Sequence, residues 1–385
     1  MNREVLHILI APNAFKHSLD ADAVAMAIER GLIESRLECT CKRFPIGDGG
    51  NGTGDLIVKA VGGKNVFTNV LDPLGRRIDS FFGLIDNGRT AVIELANASG
   101  IHLLSSGELN PLQASTYGTG EQIKCALDAG VNRIVICVGG SATVDGGAGI
   151  LHALGARFLD SSGQELSCIP SSLTQLATMD ISGLDQRIFS CELNVLCDVE
   201  NLLLGEEGAA VMFGPQKGAS DNDIVILNAV LKNISEAANA ITGKDMSLVK
   251  RGGAAGGAAA GLYACLNAKL YSGIDYFMQL LNFDEALEVS DLVITGEGSI
   301  DGQSLKGKGP IGVAKKAKSR RLTVIGLAGS VPLLPNKELE NYFDVLLPIG
   351  HQPNEPSKAF VNTEADLIRT SRTLGNIIAF GKFIG

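Results

Sequence analysis

The chain has no tryptophan, and only 5% of its 385 residues are aromatic. That argues against a stacking platform for single-stranded nucleic acid, which sets aromatic faces under successive bases. Positive charge is also scarce. Lys and Arg number 33 against 42 Asp and Glu, for a net charge of −9. Nucleic acid demands a basic footprint, so it is not an expected partner. The same excess repels an anionic small molecule at long range, so any anion site must carry its own local positive potential.

Eight cysteines (39, 41, 125, 137, 168, 191, 197 and 265) form no C-x-x-C pair, so zinc is not expected. Cys137, inside the apolar run Ile134–Val138, reads as a buried thiol of a reducing compartment. The five histidines (7, 17, 102, 152 and 351) show neither ligand spacing nor a paired serine. No secretory signal and no apolar run of about 18 residues stands out. The expectation is a cytoplasmic protein without a membrane partner. Internal repeats and disordered linkers are missing too.

What is abundant is glycine, 47 of 385 residues, against an ordinary share of ~7%. Three glycine-rich segments carry acids: Pro45-Ile46-Gly47-Asp48-Gly49-Gly50-Asn51-Gly52-Thr53, Gly139-Gly140-Ser141-Ala142-Thr143-Val144-Asp145-Gly146-Gly147 and Thr295-Gly296-Glu297-Gly298-Ser299-Ile300-Asp301-Gly302. Glycine lets the main chain approach a ligand and take positive φ. Exposed N–H groups in such turns bind anions, most of all at helix N-termini. An anion cradle beside carboxylates reads as a phosphoryl-transfer site.

Short apolar runs alternate with amphipathic stretches. Val5–Ala11 reads as a buried strand, followed by a helix capped by Asp20 that runs to about Ser35. Thr53 is expected to cap a second helix. Phe81–Ile85 and Thr90–Leu95 form an expected hairpin across Asp86-Asn87-Gly88-Arg89. The longest helical pattern is Asn222–Thr242, with Ile226, Ala229, Val230 and Ile234 in register. Strand–helix alternation at both ends predicts a parallel sheet covered by helices. At 385 residues two domains are expected. The fold class is α/β, a Rossmann-like parallel-sheet domain (1–75 and 288–385) with a second α/β domain (76–287) inserted into it. All three glycine-rich segments follow a strand, where ligands of such folds bind.

Two motifs are incomplete. Gly302-Gln303-Ser304-Leu305-Lys306-Gly307-Lys308-Gly309 approaches a Walker A loop but ends in Gly309 rather than a hydroxyl residue, and Pro310 follows. Gly296-Glu297-Gly298-Ser299-Ile300-Asp301 approaches the dinucleotide fingerprint but has Asp301 at the third glycine. Lys16, between the first strand and first helix, Lys217 in Pro215-Gln216-Lys217-Gly218, and Lys308 remain as candidate cations for phosphate. Asp198 ends another strand. Arg251 precedes the small-residue run Gly252–Gly257, which permits close backbone approach.

Together these segments resemble the bacterial glycerate kinase family that lacks a Walker A motif. The resemblance rests on Ala11-Pro12-x-x-Phe15-Lys16-x-Ser18-Leu19, Pro45-Ile46-x-Asp48-Gly49-Gly50-x-Gly52-Thr53, Gly140-Ser141-Ala142-Thr143-x-Asp145-Gly146-Gly147, Pro215-Gln216-Lys217-Gly218-Ala219, and Ile294-Thr295-Gly296-Glu297-Gly298 with Asp301. These occur in order from residue 6 to about 330. Departures include Gly47, Asn51, Val144, Leu202, Gly302 and Lys306.

The resemblance implies ATP-dependent phosphorylation of D-glycerate with Mg2+, favouring 2-phosphoglycerate over 3-phosphoglycerate, in glyoxylate, glycerate or glucarate catabolism. It also implies a site in the cleft between two α/β domains. The expected roles are catalytic for Asp48, Asp145 and Lys16, and substrate-binding for Lys16, Ser18, Gly49, Gly50, Ser141 and Arg251. ATP is expected at Gly296, Glu297, Gly298, Asp301, Lys217 and Lys308, and Mg2+ at Asp198 and Asp301. The partners are glycerate and ATP, and a homodimer stays open. A dinucleotide-dependent oxidoreductase of a small hydroxy acid is the second reading. A non-catalytic solute-binding protein is the third.

Overall fold

A computed structural model describes residues 5–384 apart from 303, 335, 353 and 354, and leaves the side chains of 306, 356, 357 and 382–384 undescribed. The chain divides into two compact units, residues 1–48 with 274–385, and residues 49–273.

The first unit holds a five-stranded sheet in the order Val345–Pro348, Thr323–Ser330, Leu292–Ser299, Leu6–Ile10 and Cys39–Arg43. All pairs are parallel. The three inner strands are apolar because helices cover them, while the edge strand Cys39–Arg43 is polar. Ile8, Ile10, Ile294, Ile325 and Leu327 join Val24, Ile28 and Leu32 of helix Ala21–Ile33 and Leu367 and Leu374 of helix Pro356–Ile384 in one core. Asp20 caps the first of these helices, its carboxylate accepting from the Ala23 N–H. The two helices cross closely at Gly31, where a Cβ would lie 2.3 Å from the Ile368 carbonyl oxygen.

From Leu6–Ile10 the chain proceeds to one side, to Cys39–Arg43. From Leu292–Ser299 it proceeds to the other. The C-terminal ends of Leu6–Ile10 and Leu292–Ser299 are therefore a topological switch point, the place where open α/β sheets bind ligands.

The second unit holds a six-stranded mixed sheet. Lys269–Ser272, Glu192–Cys197, Arg133–Cys137 and Thr90–Glu94 run parallel, and Arg77–Ile85 and Lys64–Leu71 complete it antiparallel. The α/β class and the hairpin stand. Helix Asp221–Thr242 begins with a capping box between Ser220 and Asp223. It is long and apolar enough to cross a membrane by length and composition. Its Leu227, Val230, Leu231 and Ile234 instead pack into the core of this unit.

Three local expectations change. Thr53 is the first helical residue, not the cap. Gly52 in left-handed conformation precedes helix Thr53–Ala60 without a capping side chain, and the Thr53 hydroxyl accepts from the Gly49 N–H. In the long helix Leu227, not Ala229, lies on the buried face. The third glycine-rich segment is not a turn: Gly296, Glu297 and Gly298 continue the strand as far as Ser299. Gly296 is there because a Cβ would lie 2.0 Å from the Leu327 carbonyl oxygen of the neighbouring strand.

Candidate active site

In the first unit, ladder-type bonding persists beyond the strands at the switch point. The Asn13 N–H donates to the Gly296 oxygen at 2.8 Å, and the Ile46 N–H to the Pro12 oxygen at 2.9 Å. Three loops thereby start from one edge. Asn13 Nδ2 donates to Asp48 Oδ2 at 2.8 Å. The chain then folds into a tight turn, with the Phe15 N–H bonded to the Leu19 oxygen and His17 at φ 67°. That turn exposes Lys16. Ser18 donates to the Phe360 carbonyl oxygen at 2.6 Å.

Glu297 sits at this edge with 7% exposure, accepting from Ser304 Oγ at 2.9 Å. Burial pushes its carboxyl up to about 7. Lys308, the Ser304 hydroxyl and Lys16 oppose the shift, and the negative charge of Asp48 adds to it. Asp301 joins through Ser304, whose N–H donates to Asp301 Oδ1 and whose hydroxyl accepts from the Asp301 N–H. Lys308 is the N-cap of helix Gly309–Ser319, with Pro310 in its first turn. Lys16, Asp48, Glu297, Asp301 and Lys308 are thus brought together, with Asn13 and Ser304 added. Gln303 and the Lys306 side chain lie outside the described residues.

In the second unit the other glycine-rich segments meet. The Gly139 N–H donates to the Gly49 oxygen at 2.9 Å. A Cβ at Gly139 would lie 2.4 Å from Gly50 Cα, and one at Gly49 would lie 2.8 Å from the Leu196 oxygen. These glycines serve close contact of loop on loop and of loop on strand Glu192–Cys197, at the C-terminal ends of parallel strands.

Asp145 is 0% exposed and its oxygens are spoken for. It accepts from the Thr116 N–H and hydroxyl at 2.8 and 2.7 Å, and from the Gly147 and Gly149 N–H at 3.1 and 3.2 Å. Burial raises its carboxyl above the usual range, against those four donors. It joins the N-terminal ends of helices Tyr117–Asp128 and Ala148–Ala153. Lys217 is 2% exposed, and Nζ donates to Ser141 Oγ and to the Thr143 oxygen, both at 2.7 Å. Burial pulls the ammonium down to about 7, with Asp145 and Asp198 acting in the other direction. Arg251, at φ 72°, pairs with Glu200 at 3.2 Å.

Asn13, Ser304 and Glu94 are the residues that motif reading passes over. Asn13 stands in a variable place of its motif. Glu94 shows only as an acid at the end of an apolar strand.

The dinucleotide reading has no structural basis at residues 296–301. A fingerprint needs a tight turn that opens a helix, and this segment is strand followed by a short 3-10 turn at Ser304–Lys306.

Residues 8–379 match the model of the glycerate kinase family. The chain is 43% identical to glycerate kinase of Bacillus subtilis (strain 168), across 98% of this chain and 99% of that one. It is 42% identical to glycerate 2-kinase of Escherichia coli (strain K12), over 98% and 99%. A crystal structure from Salmonella typhimurium LT2, ascribed to glycerate kinase 2, superposes with a TM-score of 0.82 at 41% identity, covering 98% of this chain and 99% of that chain. The chain belongs to the glycerate kinase family and is an enzyme of the kinase class.

Proposed function

We propose that this enzyme transfers the γ-phosphoryl group of ATP to a hydroxyl of D-glycerate and forms 2-phosphoglycerate in preference to 3-phosphoglycerate, in cytoplasmic glycerate metabolism. The observation that carries the reading is the switch-point cluster, in which Asn13 holds Asp48 at 2.8 Å and the charges of Lys308, Asp48 and Lys16 act on the buried Glu297. Phosphoryl transfer asks a protein mainly for positioning and charge neutralisation. In a chain of net charge −9, Lys16 and Lys308 supply the local positive potential that the phosphates need. Gly296, Gly298 and Asp301 line the same edge.

Asp48, oriented by Asn13, accepts the proton of the glycerate hydroxyl. The freed oxygen bonds to the γ-phosphorus while the bond to the β,γ-bridging oxygen breaks, and ADP leaves with that electron pair. Ser141, its oxygen held by Lys217, donates a hydrogen bond to glycerate and keeps its proton. Arg251 pairs with the glycerate carboxylate by exchanging Glu200, and Gly49 and Gly50 offer main-chain approach. Asp145 acts through the loop it holds rather than on substrate.

Mg2+ keeps several waters and takes one or two carboxylates beside substrate phosphates. Among the described residues no three His, Cys, Asp or Glu side chains gather as a ligand set, and a lean donor set suits this ion. Asp301 or Asp198 would hold it, and when bound it supplies neutralisation of the β- and γ-phosphate oxygens.

The test is coupled ADP release with D-glycerate and MgATP, with phosphorus NMR of the product. A product phosphorylated at O3 overturns the regiochemistry alone. Tight glycerate binding without turnover overturns the reaction.

A further inference from the structure

Glu94 closes strand Thr90–Glu94 and is buried, with 6% exposure. Its carboxylate accepts from the Gly54 N–H at 2.6 Å and the Gly52 N–H at 3.2 Å, and the Asp55 N–H also bonds to it. These are the first free donors of helix Thr53–Ala60, whose preceding residue Gly52 offers no side-chain cap. A helix N-terminus after a glycine-rich loop attracts an anion, and here the anion is part of the protein. Gly54 makes room for it, since a Cβ there would lie 2.8 Å from Glu94 Cγ. The loop that follows Asp48 is tied by Thr53 Oγ1 on the Gly49 N–H, by the Gly139 N–H on the Gly49 oxygen, and by Glu94, and of these ties the one to Glu94 brings a carboxylate.

We infer that Glu94 is a positioning residue of the phosphoryl transfer, an internal anion that takes the place of a phosphate on the Gly52, Gly54 and Asp55 amides and so fixes the loop following Asp48. This rests on the proposed kinase reading with Asp48 as proton acceptor. One consequence is that the amides opening helix Thr53–Ala60 do not receive ATP phosphate, because Glu94 already occupies them. Another is a pH response. Burial pushes the Glu94 carboxyl up to about 6, with the negative charge of Asp55 adding to the shift and the three N–H donors opposing it. Asp55, on the helix it caps, is the charged neighbour acting on Glu94 among the described residues. Protonation below that range weakens an acceptor of three amides and loosens the loop.

The experiment compares wild type, Glu94→Gln and Glu94→Ala in full-length enzyme. It measures kcat and KM from pH 5 to 8, thermal melting, and amide hydrogen exchange of the segment 49–56. The expected result is a kcat about ten-fold lower in Glu94→Ala at pH 8, with KM for ATP within two- to three-fold of wild type. Glu94→Gln lies between the two and loses the fall of kcat near pH 6. Exchange of segment 49–56 quickens in both while the rest of the chain stays protected. Wild-type kcat and pH profile in Glu94→Gln, or a fall in activity that follows melting temperature with the pH profile unchanged, overturns the positioning role. If Glu94→Ala does not fold, Glu94→Gln carries the test. Exchange reads the loop without turnover, so faster exchange in an enzyme inactive on glycerate separates failure of the substrate assignment from failure of this inference.

Discussion

Lys217 Nζ lies 2.7 Å from Ser141 Oγ and the same distance from the Thr143 oxygen, sealed from solvent. A lysine so placed is no flexible point charge for phosphate. It fixes a hydroxyl. With Nζ donating to Oγ, the Ser141 proton turns away from the lysine and is available to a ligand.

The first prediction concerns that lysine. Below about pH 7 it is charged in both folded and unfolded chains, and the cost of burying the ammonium is carried in full. Above that, the unfolded chain keeps the proton up to its ordinary pKa while the folded chain gives it up. Stability therefore rises with pH, by up to ~1.4 kcal/mol per unit. Relative to Lys217→Met, wild type is expected to gain about 2 kcal/mol between pH 7 and 9, read from urea melts of both proteins. A constant difference would show the lysine charged throughout. The same substitution is expected to lower kcat through the loss of Ser141 orientation.

Asp48 and Asn13 give the second. Asp48→Asn keeps an oxygen that can accept from Asn13 but cannot take a proton. We expect kcat to fall by at least ~10², with KM for ATP little changed. Asn13→Ala leaves the carboxylate but frees its orientation, and a fall of about ten-fold is expected. Steady-state kinetics of both variants checks the order. Full activity in Asp48→Asn would remove Asp48 from proton transfer.

Glu297 titrates in the opposite sense to Lys217. Its folded pKa is raised to about 7 by burial. Below the unfolded value both states hold the proton, and the stability associated with the neutral form is fully present. As pH rises the unfolded chain ionises first, so stability is lost through the range up to about 7. Relative to Glu297→Gln, wild type is expected to lose about 2 kcal/mol between pH 5 and 7, measured by denaturant melts. No relative loss would show Glu297 ionised, with Lys16 and Lys308 outweighing burial.

Much of this fold is legible in local sequence because local physics decides it. Asp20 announces its helix, and the apolar runs at 8–10 and 134–136 have room only inside a covered sheet. Strand Lys64–Leu71 is not legible, since it lies at a sheet edge with Phe67 exposed and little apolar alternation to mark it. The motif acids are easy to find, but their surroundings are not. Pro215-Gln216-Lys217-Gly218 reads as a turn that offers a cation to phosphate, and only tertiary packing buries the lysine. Glu94 bonds to main-chain groups some 40 residues earlier, and amides leave no mark in a motif.

The last prediction turns on what Gly296 is for. Read in sequence it belongs to a phosphate-binding turn. In the structure it belongs to a strand whose neighbour passes so close that a Cβ would lie 2.0 Å from the Leu327 oxygen. That oxygen is main chain, fixed in the sheet, and cannot swing aside. Gly296→Ala is therefore expected to destabilise the first unit by about 2–3 kcal/mol, the scale of a forced backbone shift. Gly302→Ala, with nothing within 4 Å of its Cβ, should change stability by no more than ~0.5 kcal/mol. If Gly296 served phosphate approach instead, Gly296→Ala would keep its melting temperature and raise KM for ATP. Melting curves and ATP titrations of the two variants, side by side, distinguish a glycine needed by the sheet from one needed by the nucleotide.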